Sequence, residues 1–167
     1  RVQNNMDKNI IDLLPSNQQE YLKRVAEICK SHNASLYLVG GTVRDLLLKK
    51  TPSDLDISIE GWEISLVNKI ARCLEGSIIA TSEFNTAKIL IGNISIDLAM
   101  SRSESYEQPG ALPTIKPGLI VDDLGRRDFS INALCISLNE GDWGSLINRH
   151  GGYSDLQSGI IRVLHAK

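Results

Sequence analysis

The sequence predicts one α+β domain, built as a mixed sheet with helices packed on one face. Two observations lead there. The first is order: helix-type and strand-type segments alternate α-β-α-β-α, and the remainder of the chain is mostly β-type. The second is composition: 42% hydrophobic and 23% charged residues over 167 positions suit a chain that buries a core without disulfide or metal staples.

Each element carries its own signal. Residues 15–33, PSNQQEYLKRVAEICKSHN, read as a helix. Ser16 with Gln19 forms the pattern of a capping box, and Leu22, Val25, Ala26 and Cys29 recur on one face. ASLYLV (34–39) is a short β-type run that stops at Gly40–Gly41. TVRDLLLKK (42–50) is a second helix, with Thr42 as its expected cap and Lys49–Lys50 suited to its C-terminal end. SDLDISIEG (53–61) is a strand. WEISLVNKIARCLEG (62–76) is a third helix, spaced by Ile64, Val67, Ile70, Ala71 and Leu74 and closed by Gly76. TAKILIG and ISIDLAM form a hairpin around Gly92–Asn93. Residues 101–118 carry Pro109, Pro113 and Pro117 and read as a long polar loop, a kind that is usually functional or mobile. DDLGRRDFSINALCISL starts helical and ends β-type, GSLINRHGGYSDLQSG is turn-rich, and IIRVLHA closes as a strand.

Several classes are excluded or disfavoured. Cys29, Cys73 and Cys135 lie far apart and form no CxxC pair, which argues against a zinc knuckle or a disulfide framework. They are expected to be buried thiols in a reducing, cytoplasmic compartment. No apolar run approaches the roughly 20 residues of a membrane helix, and RVQNNMDKN has no hydrophobic signal core. The chain does not begin with Met, which suggests a piece of a longer protein. A net charge of −2 is not the footprint of a domain that grips nucleic acid unaided.

The segment VGGTVRDLLLKKTPSDLDI (39–57) carries the chemistry. Side chains alternate along a strand, so Leu55, Ile57 and Ile59 share one face while Asp54, Asp56 and Ser58 share the other. Carboxylates at i and i+2, about 7 Å apart along the strand, can converge on one cation or on two. They repel each other, and a divalent cation removes that cost. Mg²⁺, which takes a few carboxylates together with waters and substrate phosphates, suits such a pair. The plain alternative is a solvated strand face. Gly40–Gly41 lets the backbone turn sharply and a ligand approach closely. The helix start beyond it offers free N–H groups, a seat for a triphosphate, and Arg44 in its first turn is well placed only if it faces an anion. Here the alternative is a tight turn with a surface arginine paired to a nearby carboxylate. In GRRDFSINAL (125–134), Arg126 and Arg127 can fork onto phosphate oxygens, with Asp128 capping a short helix or holding an arginine. The alternative is a helix edge with an internal ion pair.

LVGGTVRDLLL, SDLDISIEG and RRDFSINAL, in this order, resemble the signature motifs of the class II tRNA nucleotidyltransferase and bacterial poly(A) polymerase family. SIDLAMSRSESYEQPGALPTI resembles the strand and flexible loop between them, and HGGYSDLQSGIIRVLH resembles the end of that family's catalytic head domain. The likeness runs from about Leu36 to His165. It implies a DNA polymerase β-like nucleotidyltransferase fold with a mostly antiparallel sheet, and a head domain over 34–167 preceded by a helical extension over 1–33. It implies transfer of AMP or CMP, or both, from ATP or CTP to the 3′-hydroxyl of a tRNA or other RNA by a two-metal mechanism with Mg²⁺. A poly(A) polymerase of the same family and a non-catalytic nucleotide-binding module on the same fold are the alternatives. By the same resemblance, Asp54 and Asp56 match the metal-binding carboxylates. Gly40, Gly41 and Arg44 lie in the glycine motif that meets the incoming nucleotide, and Arg127 matches the second arginine of the RRD motif. Asp97 stands where the wider superfamily often has a third carboxylate. Arg102, Glu104 and Tyr106 match an R-x-E-x-Y pattern of the mobile loop. Asn148 and Ser130 replace the usual Asp and Thr at positions that look structural. In the family, neck, body and tail domains come after the head; they read the nucleobase and hold the tRNA, so the tRNA 3′ end is expected to be gripped mainly outside this chain.

Overall fold

The structure, a computed structural model, describes residues 9–165. A 3₁₀ turn (Ile10–Leu13) leads into α1 (Ser16–Ser31), β1 (Ser35–Val39), α2 (Gly40–Leu47), β2 (Asp54–Glu60) and α3 (Ile64–Cys73). Strands β3 (Ser77–Ser82), β4 (Thr86–Ile91), β5 (Ile94–Met100), β6 (Arg102–Ser105) and β7 (Thr114–Pro117) come next. Then come α4 (Ile120–Gly125), a 3₁₀ turn (Ser130–Asn132), β8 (Cys135–Ser137), β9 (Leu146–Ile147) and α5 (Gly152–Ser158).

Seven strands form one sheet in the order β3-β4-β5-β2-β1-β8-β9. All its pairings are antiparallel except β2 with β5. That one parallel pair is possible because α3 and the β3–β4 hairpin carry the chain across between them. Leu55, Ile57 and Ile59 of β2 are buried on the face covered by α1, α2 and α3, with Leu22, Val25, Val43, Leu46, Val67 and Ile70. Each such side chain contributes about 1.5–3 kcal/mol by leaving water. Helix α4 lies on the other face, where Ile120 and Leu124 pack on Val39 and Cys135. That face is therefore only partly covered, and Asp54, Asp56 and Asp97 of β2 and β5 stay accessible beside α4, while Ser58 and Ser95 are buried.

Helix α1, read from the sequence as part of an extension, buries Leu22, Val25 and Cys29 in the same core as β1 and β2. Residues 1–8 of that extension and Ala166–Lys167 lie outside the described residues.

Several local expectations are corrected. The residue that caps α1 is Pro15, not Ser16, and Gln19 donates instead to the Leu14 carbonyl at 2.7 Å. Thr42 does not cap α2, which begins at Gly40; Thr42 reaches sideways to β2. Ile64 is exposed, because it opens α3 before the helix reaches the core. The left-handed residue that ends α3 is Glu75 (φ 54°), while Gly76 is needed for space: a Cβ there would meet Ile89 at 2.7 Å. Residues 101–118 are not a structureless loop, since β6 and β7 pair as a two-stranded ribbon. The run SIIATS is a strand without a sequence signal; all six residues are exposed, so it carries no burial pattern. Within the described part of IIRVLHA (160–165), the chain forms the bridge Phe129–Val163 rather than a strand. Cys29 and Cys135 are buried as expected, and burial pushes both thiols up to about 12, but Cys73 is exposed. The Gly92 hairpin stands as read, with Gly92 at φ 60° between Ile91 and Ile94.

Candidate functional site

The site begins where β1 ends. Gly40 takes a left-handed conformation (φ 61°) that L side chains rarely adopt, and it turns the chain directly into α2. A Cβ on Gly40 would stand 3.3 Å from Arg127 Nη1 and 3.9 Å from Asp56 Oδ2. On Gly41 it would stand 3.4 Å from Arg44 Nη2 and 3.9 Å from Asp56 Oδ2. The two glycines thus let an arginine from each side and a carboxylate from below close on the same stretch of backbone.

Thr42 locks α2 onto β2. Its hydroxyl donates to the Asp54 carbonyl at 3.0 Å and accepts from the Asp56 amide at 2.9 Å. Because β2 and β5 run parallel, Asp54 is level with Ser95 and Asp56 with Asp97. Alternation then sends all four side chains to the α4 face. The Ser95 hydroxyl donates to Asp54 Oδ1. Lys88 of β4, level with Asp97 in the antiparallel register, donates to Asp97 Oδ1 at 2.8 Å and Oδ2 at 3.0 Å. Burial, then the negative charges of Asp97 and Asp54, push the Asp56 carboxyl above its ordinary value; Thr42 and Arg127 oppose the rise.

Arg127 is positioned by a residue that sequence reasoning missed. Asp123, 2% exposed, accepts from Arg127 Nη2 at 2.9 Å through one oxygen and from Arg126 Nη2 at 2.7 Å through the other. The signal was present: on a helix, Asp123 lies three and four residues before the two arginines, a spacing that brings side chains together. Asp128, expected to cap a helix or hold an arginine, does neither; it is exposed at the cleft rim and its carbonyl accepts from the Leu164 amide. Glu104 on β6 accepts from Arg102 at 3.0 Å, from Arg126 at 3.4 Å and from the Tyr106 hydroxyl at 3.0 Å. The R-x-E-x-Y residues are therefore tied to each other and to the RRD segment. Ser130, fully buried, donates to Asp155 Oδ2 at 2.6 Å, and Asn148 accepts from the Tyr153 amide, so both replacements have structural partners away from the carboxylates.

These elements enclose an open cleft of about 720 Å³. Gly40, Gly41, Arg44, Asp56, Asp97 and Arg127 line it, with Glu104, Tyr106 and Phe129 on the ribbon and RRD side. Asp54 is exposed and stands outside the lining. Among the described residues, the side-chain polar contacts of Arg44 are those of 3.3–3.4 Å with the adjacent Asp45, and its guanidinium lines the cleft. Among the described residues, no three His, Cys, Asp or Glu side chains group closely enough to hold a metal alone. The donor set nevertheless fits a hard cation that takes one or two carboxylates and completes its shell with water and phosphate, because the crowded carboxylates raise Asp56 and a cation relieves that repulsion.

Comparison with known proteins places this geometry. Residues 36–162 match a family described as the poly A polymerase head domain. An A-adding tRNA nucleotidyltransferase of Halalkalibacterium halodurans is 41% identical over 164 residues, 95% of this chain and 38% of the relative. A CC-adding tRNA nucleotidyltransferase of Deinococcus radiodurans is 39% identical over 134 residues, 80% of this chain and 36% of the relative. A solved CCA-adding enzyme in an apo form superposes with a TM-score of 0.87 at 36% identity, covering 97% of this chain and 38% of that one. The chain thus spans less than two fifths of the length of these relatives.

Proposed function

The chain belongs to the poly A polymerase head domain family, and from that premise we propose that it is the catalytic head of a template-independent RNA nucleotidyltransferase. It transfers AMP or CMP from ATP or CTP to the 3′-hydroxyl of a tRNA, and pyrophosphate leaves. The observation that carries this reading is that Gly40, Gly41, Asp56 and Arg127 line one cleft, with Asp56 and Arg127 so close to the glycine backbone that a Cβ on Gly40 would stand within 4 Å of both.

Asp54 and Asp56 would hold the metal, Mg²⁺ by the chemistry of their oxygens. Two such ions would supply activation of the attacking hydroxyl and neutralisation of charge on the leaving group. Arg44 and Arg127 flank the glycine backbone and bind the triphosphate, with N–H groups at the start of α2 facing the same anion. Arg127 approaches the triphosphate from an orientation set by Asp123. Asp97 faces the same space, and its pairing with Lys88 supports a role in shaping the site rather than in ligating metal alone. The resemblance of the Asp54/Asp56 pair, Arg44 and Arg127 to an intact set favours catalysis over a passive nucleotide-binding module.

The test is Mg²⁺-dependent binding of ATP and of CTP by the chain and by its Asp54→Asn/Asp56→Asn variant. Binding that needs Mg²⁺ in the parent and loses that need in the variant is expected. Equal metal dependence in both overturns the assignment of these two residues.

A further inference from the structure

We infer that Lys88 is a positioning residue for the RNA being extended: its ammonium meets the phosphodiester that precedes the 3′-terminal nucleoside. This rests on the function proposed above. Across the α4 face of the sheet the groups run in a fixed order. Gly40–Gly41, Arg44 and Arg127 lie at β1 and α2, Asp54 and Asp56 on β2, Asp97 on β5, and Lys88 on β4. In phosphoryl transfer the attacking and leaving oxygens lie roughly in line through the transferred phosphorus. With the triphosphate and its leaving group at the arginine side, the attacking hydroxyl must come from the opposite side, over β5 and β4.

On that side the strands offer one cation. The runs SIIATS, TAKILI and ISIDLAM contain no Lys or Arg other than Lys88. The Lys88 side chain is 38% exposed, so the bond to Asp97 leaves part of the ammonium open to solvent. The cleft wall ends at Asp97 and Ala99, and Lys88 stands just beyond, about where the nucleotide behind the attacking ribose would lie. The bond to Asp97 already restrains the lysine side chain, so a phosphate contact costs little additional ordering. Ser95, 3.4 Å from the ammonium and bonded to Asp54, ties the same group to the carboxylates.

The experiment tracks the Lys88 ammonium signal by NMR in ¹⁵N-lysine protein while the dinucleoside monophosphate CpC is added with Mg²⁺. Its neutral methylphosphonate analogue is added in parallel, and the Gly41 amide is monitored with ATP in the same samples. The expected result is a Lys88 shift that saturates with CpC and is lost with the neutral analogue. Lys88→Met should weaken CpC binding about fivefold, the worth of one partly exposed charge contact, a larger loss than any it causes in ATP binding, while Lys88→Arg restores CpC binding. A Lys88 signal that ignores CpC, or that responds equally to the neutral analogue, overturns the inference while leaving the ATP site intact. A Gly41 amide silent to ATP instead overturns the proposed function itself.

Discussion

Asp56 and Asp97 sit side by side across the one parallel strand pair of the sheet, β2 and β5. Burial, and then the negative charge of Asp97, raise the cost of charging Asp56. The metal-free fold therefore carries a strained carboxylate cluster.

A carboxyl raised in the folded state binds more protons there than in the unfolded chain. The Asp56 contribution to stability should then be fully present below the ordinary carboxyl range and be lost as pH rises through its folded value. Asp56→Asn removes one charge of the cluster. It should raise the melting temperature of the metal-free protein at neutral pH, flatten this pH dependence, and abolish metal-dependent nucleotide binding. Thermal melts at several pH values, with and without Mg²⁺, check the first two; nucleotide titration checks the third.

Asp123→Ala should be among the most damaging single changes near the cleft. It leaves the partly buried Arg126 and Arg127 without their shared partner, a loss of about 3 kcal/mol. Asp123→Asn keeps the shape and loses the charge, so it should destabilise less yet still weaken ATP binding. Urea unfolding paired with ATP titration separates the two effects.

Gly40→Ala tests the turn between β1 and α2. At φ 61° a Cβ costs about 1–2 kcal/mol, and here it also presses on Arg127 Nη1. ATP affinity should fall beyond what the stability loss explains. Gly92→Ala has a similar φ but open space around it, and serves as the control that loses stability alone.

Asp155 controls the acid limb of stability. Arg162 and then Ser130 hold its carboxyl below the ordinary range. A lowered carboxyl stabilises the fold above the unfolded value of about 3.9, and that contribution is lost as pH falls through the lower folded value. Asp155→Asn should flatten the loss of stability below about pH 4 and loosen the segment around Arg162. Urea midpoints measured down the acid range check the first expectation, and amide exchange at Ile160, whose amide donates to the Asp155 carbonyl, checks the second.

Much of the fold was legible because its signals are local. Helices α1 to α3, strands β1, β2, β4 and β5, and the Gly92 turn each announce themselves by periodicity or by a glycine within a short window. Strand β3 was silent because both of its faces are exposed. The β6–β7 ribbon was hidden because prolines and polar residues dominate it, although it pairs through its backbone. The caps of α1 and α2 were misassigned because the side chains of Gln19 and Thr42 find partners other than the helix amides.

The sequence by itself determined which face of β2 is apolar, which residues bear the charges, and where the chain can turn sharply, since each depends on neighbours a few positions away. The tertiary structure decided what meets what. The parallel β2–β5 register put Asp97 beside Asp56, the β4–β5 register put Lys88 on Asp97, and α4 placed the buried Asp123 beneath both arginines. The strand pairings join residues distant in the chain, and they are set by which strand lies next to which and in what direction. Packing of the whole domain settles that choice, and no local pattern encodes it.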